Sequence, residues 1–239
     1  MNDLDFLKDN NDFVLFGNQH LIAFGLFLIF GIIFIRWART LPAYKQNKVG
    51  NYFAWSLSIT VIIWTILKIY TRGFDIKEDL PLHLCNFMAL LLPWFAYHRK
   101  PIVYEILLFW VFAGTTHSVI TPDLKNGFPN FIFLKYWFVH SGLIIFILYA
   151  TIIYKLRPRL KSVFISFIAL QGYIVSMFLI NSLTGANYFY TNHKPDGPTA
   201  LYYLGDYPYY ILVAELIMIP YFMLIYLPFY LHKRRVSRR

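Results

Sequence analysis

Apolar residues in this chain do not alternate with polar ones at strand spacing, nor do they recur on one helical face. They come in long unbroken runs, at roughly 20–37, 53–70, 80–98, 101–121, 131–154, 161–183 and 207–231. A hydrocarbon core about 30 Å thick takes about 20 helical residues to cross, and 18 or more apolar residues in a row meet that length. A membrane barrel would show short alternating segments instead. Continuous runs suit helices, which satisfy every backbone N–H and C=O within themselves. The pattern predicts an all-α fold: a polytopic membrane protein built as a seven-transmembrane-helix bundle. Residues 1–19 then form a short acidic N-terminus, 20–231 the membrane domain and 232–239 a basic tail. The connections are too short to hold a second domain.

Composition sharpens this reading. The chain is 58% hydrophobic and only 14% charged, where a soluble domain carries about 25% charge. A net charge of +10 raises the question of nucleic acid, but its placement answers differently. Of the 22 lysines and arginines, 15 fall on one set of alternate loops, from Arg36 and Arg39 to the KRRVSRR tail, with Glu105 the only acid beside them. The other 7 share the opposite loops with the remaining 11 acids. The alternation holds at every loop, which requires an odd number of spans. The positive-inside rule places the C-terminus in the cytoplasm and the N-terminus outside the cell membrane. The basic tail then reads as an anchor on anionic lipid. The N-terminal MNDLDFLKDNNDF lacks the basic region of a cleaved signal peptide, so the first run is expected to stay as a helix. A single cysteine makes no internal disulfide and gives no redox address.

With that sidedness, the polar residues inside the runs fall at one level. His20 opens the first span, and His83, Cys85 and Asn86 lie near the start of the third. His117 is about one turn from the outer end of the fourth, and Asn181 near the outer end of the sixth. His140 and Glu215 lie roughly 14 and 12 Å deep along the fifth and seventh spans. Polar groups in hydrocarbon tend to face a bundle interior or a watery cavity, and a set at one depth points to a single pocket opening toward the outer leaflet. Each also has a bland reading. A free cysteine is usually a small buried hydrophobe, His20 and His83 snorkel to headgroups at the interface, His117 serves as interhelical glue, and Glu215 pairs with Lys135 or is protonated. The one long connection, Thr184–Asp206, holds Asn187, Pro195, Gly197, Pro198 and several tyrosines, and reads as a lid or binding loop over that pocket.

A thiol attacks as thiolate and needs a base. Asp79 is the expected N-cap of the third helix, with Pro81 in its first turn, and the helix dipole favours a thiolate at Cys85. His83 is a poor base for Cys85, because two residues on a helix stand about 200° apart. The base is expected from another helix: His140 first, His117 second, with Asn86 or Glu215 orienting the imidazole. Attack on a lipid ester would leave a thioester, passed on to a lysolipid, an alcohol or water. Zinc or copper on His83, Cys85, His117 and His140 is a competing reading, weakened by the lack of HExxH and CxxC spacing. A transporter or small-molecule receptor with an outward polar cavity is the alternative class, and a non-catalytic scaffold a third.

LPLHLCNF, TPDLKNGFPN with His140 downstream, NYFY followed by HKP, and LGDYPYY together resemble the YwaF-like bacterial integral membrane proteins, which are similar to eukaryotic transmembrane protein 164. The resemblance runs from His20 to the last span. It implies a glycerophospholipid acyltransferase with a cysteine nucleophile at Cys85 and a histidine partner placed at His140, acting on a membrane phospholipid or lysolipid without metal or nucleotide cofactor. The chain departs where the family often has a tryptophan-rich LGPWPWY: here it is LGDYPYY, which keeps the aromatic surface and adds the charge of Asp206.

The sidedness is testable. In a Cys85→Ala background, a cysteine at Asp12 should react with an impermeant maleimide on intact cells. One at Ser237 should react only after permeabilisation; the reverse labelling pattern would overturn the orientation.

Overall fold

The computed structural model describes residues 10, 12–195 and 199–237. The acidic stretch 1–9, and Gly197 and Pro198 of the long loop, lie outside them. The described residues form helices and turns, in the order α1 (Asn18–Thr40), α2 (Ala43–Arg72), α3 (Leu84–His98), α4 (Pro101–Ile120), α5 (Phe131–Ile152), α6 (Leu160–Thr184) and α7 (Tyr209–Ser237). Six of these are long and apolar enough to cross a membrane. The exception is α3, at 15 residues, which rises only about 22 Å. The expected 80–98 run is therefore not helical from its first residue. Leu80–His83 form a non-helical lead-in, and α2 begins ten residues ahead of its apolar run because AYKQNKVG is helical although polar. Helix α7 continues through residues 232–237 of the basic tail.

The outer helices α1 and α7 keep most of their surface exposed, whereas α3, α4 and α5 supply most of the buried core. Helix α5 is central and packs on α1, α2, α3 and α4. Its buried Gly142 lets α2 come close: a Cβ there would meet Leu57 Cδ2 at 2.3 Å. Gly50 does the same for Tyr154, whose hydroxyl would stand 1.9 Å from an added Cβ.

Hydrogen bonds close the basic end. Tyr149 donates to the Gln46 carbonyl at 2.6 Å, Gln46 Nε2 to the Ala38 carbonyl at 3.2 Å, and the Arg99 guanidinium to Asn47 Oδ1 at 2.7 Å. Glu105, the lone acid on that side, is buried and takes two bonds from Arg159, at 2.8 and 3.0 Å. This charge-assisted fork ties α4 to the start of α6. Trp110 Nε1 adds a bond to the Ser166 carbonyl at 3.1 Å.

The middle of α4 is not α-helical. Val111–Thr115 form a π turn, continued as α-helix over Thr116–Ile120. Such turns widen a helix by one residue and gather at functional sites.

Filling the Gly142 notch should separate α2 from α5. Gly142→Val is expected to destabilise the protein by about 1–3 kcal/mol through overpacking. Adding Leu57→Ala should recover part of that loss, read as a thermal shift of the detergent-solubilised protein. Additive losses would show that the two residues do not compete for space.

Candidate functional site

Helix α3 starts without a side-chain cap. Its N-cap residue is His83, not Asp79. Asp79 is instead buried in the lead-in, where it pairs with Lys68 at 2.8 Å and accepts the Asp75 N–H at 2.6 Å. Pro81 lies ahead of the helix rather than in its first turn. The lead-in is held from two sides. Tyr173 of α6 donates to the Leu82 carbonyl, and Tyr188 of the long loop donates to the Ile76 carbonyl at 2.6 Å while accepting the Leu80 N–H at 3.1 Å. Burial pushes the Tyr188 phenol above its usual range, so it keeps the proton it donates. The His83 ring rests against Tyr188 and Tyr190, with centroids 5.6 and 5.2 Å away. The first turn of α3, including the Cys85 and Asn86 N–H groups, has no intrahelical acceptor and no side-chain cap.

Cys85 and Asn86 are neighbours about 100° apart around α3, so they face different helices. The half-buried Cys85 sulfur is 3.6 Å from Thr115 Oγ1, at the end of the π turn of α4, and within bonding reach of the Ser118 hydroxyl. Asn86 Oδ1 accepts from Lys135 Nζ of α5 at 3.0 Å. The Lys135 ammonium is also in electrostatic reach of Cys85, His83 and His140. Tyr136 donates to the Ser118 carbonyl at 2.9 Å and stacks on His140, centroids 4.0 Å apart. His140 Nδ1 lies 2.7 Å from the Tyr136 carbonyl. A carbonyl only accepts, so Nδ1 carries the proton and Nε2 keeps its lone pair.

The expected polar set therefore divides. Asn86 is bonded to Lys135, whose charge reaches Cys85, His83 and His140, although no hydrogen bond among the described residues joins the sulfur to an imidazole. His117 stands apart from them, exposed, with its ring against Tyr221 of α7 at 5.5 Å. Two positions separate it from Thr115, which turns it away from the sulfur. Glu215 is bonded to Gln171 of α6, not to Lys135. His20 serves the backbone: Nδ1 accepts the Phe16 N–H at 3.0 Å, and Nε2 donates to the Val119 carbonyl at 3.1 Å. Asn181 bonds both the N–H and the carbonyl of Tyr188, at 2.9 and 2.8 Å, and Asn187 holds His193 and Asn192. These last two build the loop rather than face a cavity. Among the described residues, no three His, Cys, Asp or Glu side chains gather in a way that could hold a metal ion. Lys135 is the residue that sequence reasoning passed over. A lone ammonium inside an apolar run was the signal, and it was set aside as a partner for Glu215.

Six long apolar helices around a buried core, with a polar cluster between α3, α4 and α5, define a polytopic helical membrane protein. The chain matches the TMEM164 family over residues 15–226 and belongs to it. No curated protein and no solved structure matches.

Tyr188 should be worth more to the loop than its ring contacts alone. Tyr188→Phe leaves the Leu80 N–H and the Ile76 carbonyl without their partner, at a cost of about 1–3 kcal/mol. The expected result is a lower melting temperature and faster proteolysis between residues 185 and 208. Unchanged cleavage would mean that the loop is held elsewhere.

Proposed function

We propose that this chain is a membrane-embedded, thiol-dependent acyltransferase or hydrolase of a lipid ester, with Cys85 as nucleophile. In this reading all seven helices lie in the cell membrane, the N-terminus is outside, the basic end is cytoplasmic, and the chain stands with the YwaF-like bacterial members of its family. The observation that carries the reading is the setting of the Cys85 sulfur. It sits in the first turn of an uncapped helix, beside the Thr115 hydroxyl, with the Lys135 ammonium nearby.

Each group has a task in that chemistry. The Nε2 lone pair of His140 takes the thiol proton as the sulfur attacks the ester carbonyl carbon. The carbonyl oxygen becomes an oxyanion, which the free N–H groups of α3 and the Lys135 ammonium stabilise. Collapse breaks the ester C–O bond. The leaving alkoxide takes the proton from the His140 imidazolium, and a thioester remains on Cys85. An alcohol, lysolipid or water then attacks the thioester by the reverse sequence, restoring the thiol. Asn86 positions Lys135, and the Tyr136 carbonyl fixes the His140 tautomer. The fixed tautomer supports His140 over His117 as base, because it leaves Nε2 as the free acceptor.

Mass spectrometry of the purified protein with phospholipid should find an acyl adduct on Cys85. Cys85→Ala should abolish adduct and lipid turnover together, and unchanged turnover would reject the proposal. His140→Asn is expected to slow adduct formation by about 10²–10⁴-fold. Lys135→Met should lower the rate by about 10²-fold with little change in lipid binding.

A further inference from the structure

A second feature lies away from the thiol. Between α1 and α5 runs an open groove of about 350 Å³. Its walls are apolar: Phe27, Leu28 and Ile32 from α1 face Ile144 and Leu148 from α5. Gly31 brings the helices together there, since a Cβ would stand 3.0 Å from Ile145 Cγ1. From Phe24 to Arg39 the groove extends about 22 Å along α1. One leaflet of hydrocarbon is about 15 Å deep, so a full acyl chain fits along it.

The groove ends on two cations. Arg36 and Arg39 line its basic end, three residues apart and so on one helical face. Both are exposed, and among the described residues neither is paired with a carboxylate. Exposed Trp37 lies between them in sequence, an aromatic of the kind that sits at headgroup level. A headgroup phosphate can take charge-assisted bonds from both guanidinium groups, and basic pockets between membrane helices are suited to anionic headgroups.

We infer that the α1–α5 groove is a binding site for an anionic phospholipid of the leaflet on the basic face, its phosphate on Arg36 and Arg39 and one acyl chain along Leu28 and Ile32. Charge complementarity and depth select this occupant. A zwitterionic lipid would bring a cation to the same two arginines, and a soluble anion would have no use for the apolar walls. The site stands independently of the chemistry proposed for Cys85.

The full chain, purified in mild detergent without added lipid, is titrated with phosphatidylglycerol or phosphatidylcholine, and bound lipid is counted by native mass spectrometry. The wild type should retain phosphatidylglycerol at least tenfold better than phosphatidylcholine. Arg36→Gln with Arg39→Gln should erase that preference, and Leu28→Trp, at an exposed groove position, should weaken phosphatidylglycerol by a similar factor. Lys45→Gln with Lys48→Gln, exposed cations of the same basic end that do not line the groove, should leave retention unchanged. Equal retention of the two lipids by the wild type would overturn the inference. So would full retention by Leu28→Trp, or an equal loss from the Lys45 and Lys48 variant. Melting curves confirm that each variant is folded.

Discussion

Hydrocarbon offers no water to a stray N–H or C=O, so any backbone that leaves the helix at membrane depth must find its partners inside the protein. The lead-in to α3 is irregular backbone that finds its partners in this way. Its Leu82 carbonyl is taken by Tyr173 and its Leu80 N–H by Tyr188, while the turn before it is held by Tyr188 on the Ile76 carbonyl and by Asp79, which accepts the Asp75 N–H and pairs with Lys68. The long loop is in turn fastened to α6 through Asn181. The polar residues at this end of the bundle therefore serve different partners. Many of them hold irregular backbone in place, and that service puts the uncapped start of α3 where its donors are free.

The same economy governs the candidate site. Because α3 is wedged between α4 and α5, consecutive residues on it meet different neighbours: Cys85 meets the hydroxyls of α4, and Asn86 meets the ammonium of α5. Lys135 joins the two halves. Its charge lies within electrostatic reach of the thiol and of two imidazoles.

Much of the architecture was legible in the chain. Long apolar runs mark spans because the bilayer imposes a length, and five of them fall within a few residues of the observed helices. The exceptions have physical causes. The residues 43–52 of α2 are polar, so hydropathy stops where the helix does not, and Leu80–His83 are apolar or aromatic yet irregular, because tertiary partners replace the helical bonds. Within the candidate site, Cys85, Asn86 and His140 were picked out by type and depth, and the structure places Asn86 on Lys135 and Cys85 beside Thr115. His117 and Glu215 were misdirected because depth says nothing of azimuth, and the π turn in α4 shifts every face beyond it. His20, Asn181 and Asn187 share the site's polarity without sharing its position. Lys135 went unseen because a charge in a span invites a search for an opposite charge, and its partner is an amide.

The π turn at Val111–Thr115 has a consequence for how this chain can vary. It holds one residue more than an α-helical path would need. Removing that residue would straighten α4 and swing Ser118, Val119 and Thr121 about 100° around its axis. The Tyr136 hydroxyl and the His20 ring, which bond the Ser118 and Val119 carbonyls, would lose their acceptors together. Length in this stretch is thus constrained more tightly than side-chain identity. Substitutions there are tolerable in principle, whereas a single-codon deletion would disconnect α4 from both α1 and α5 in one event.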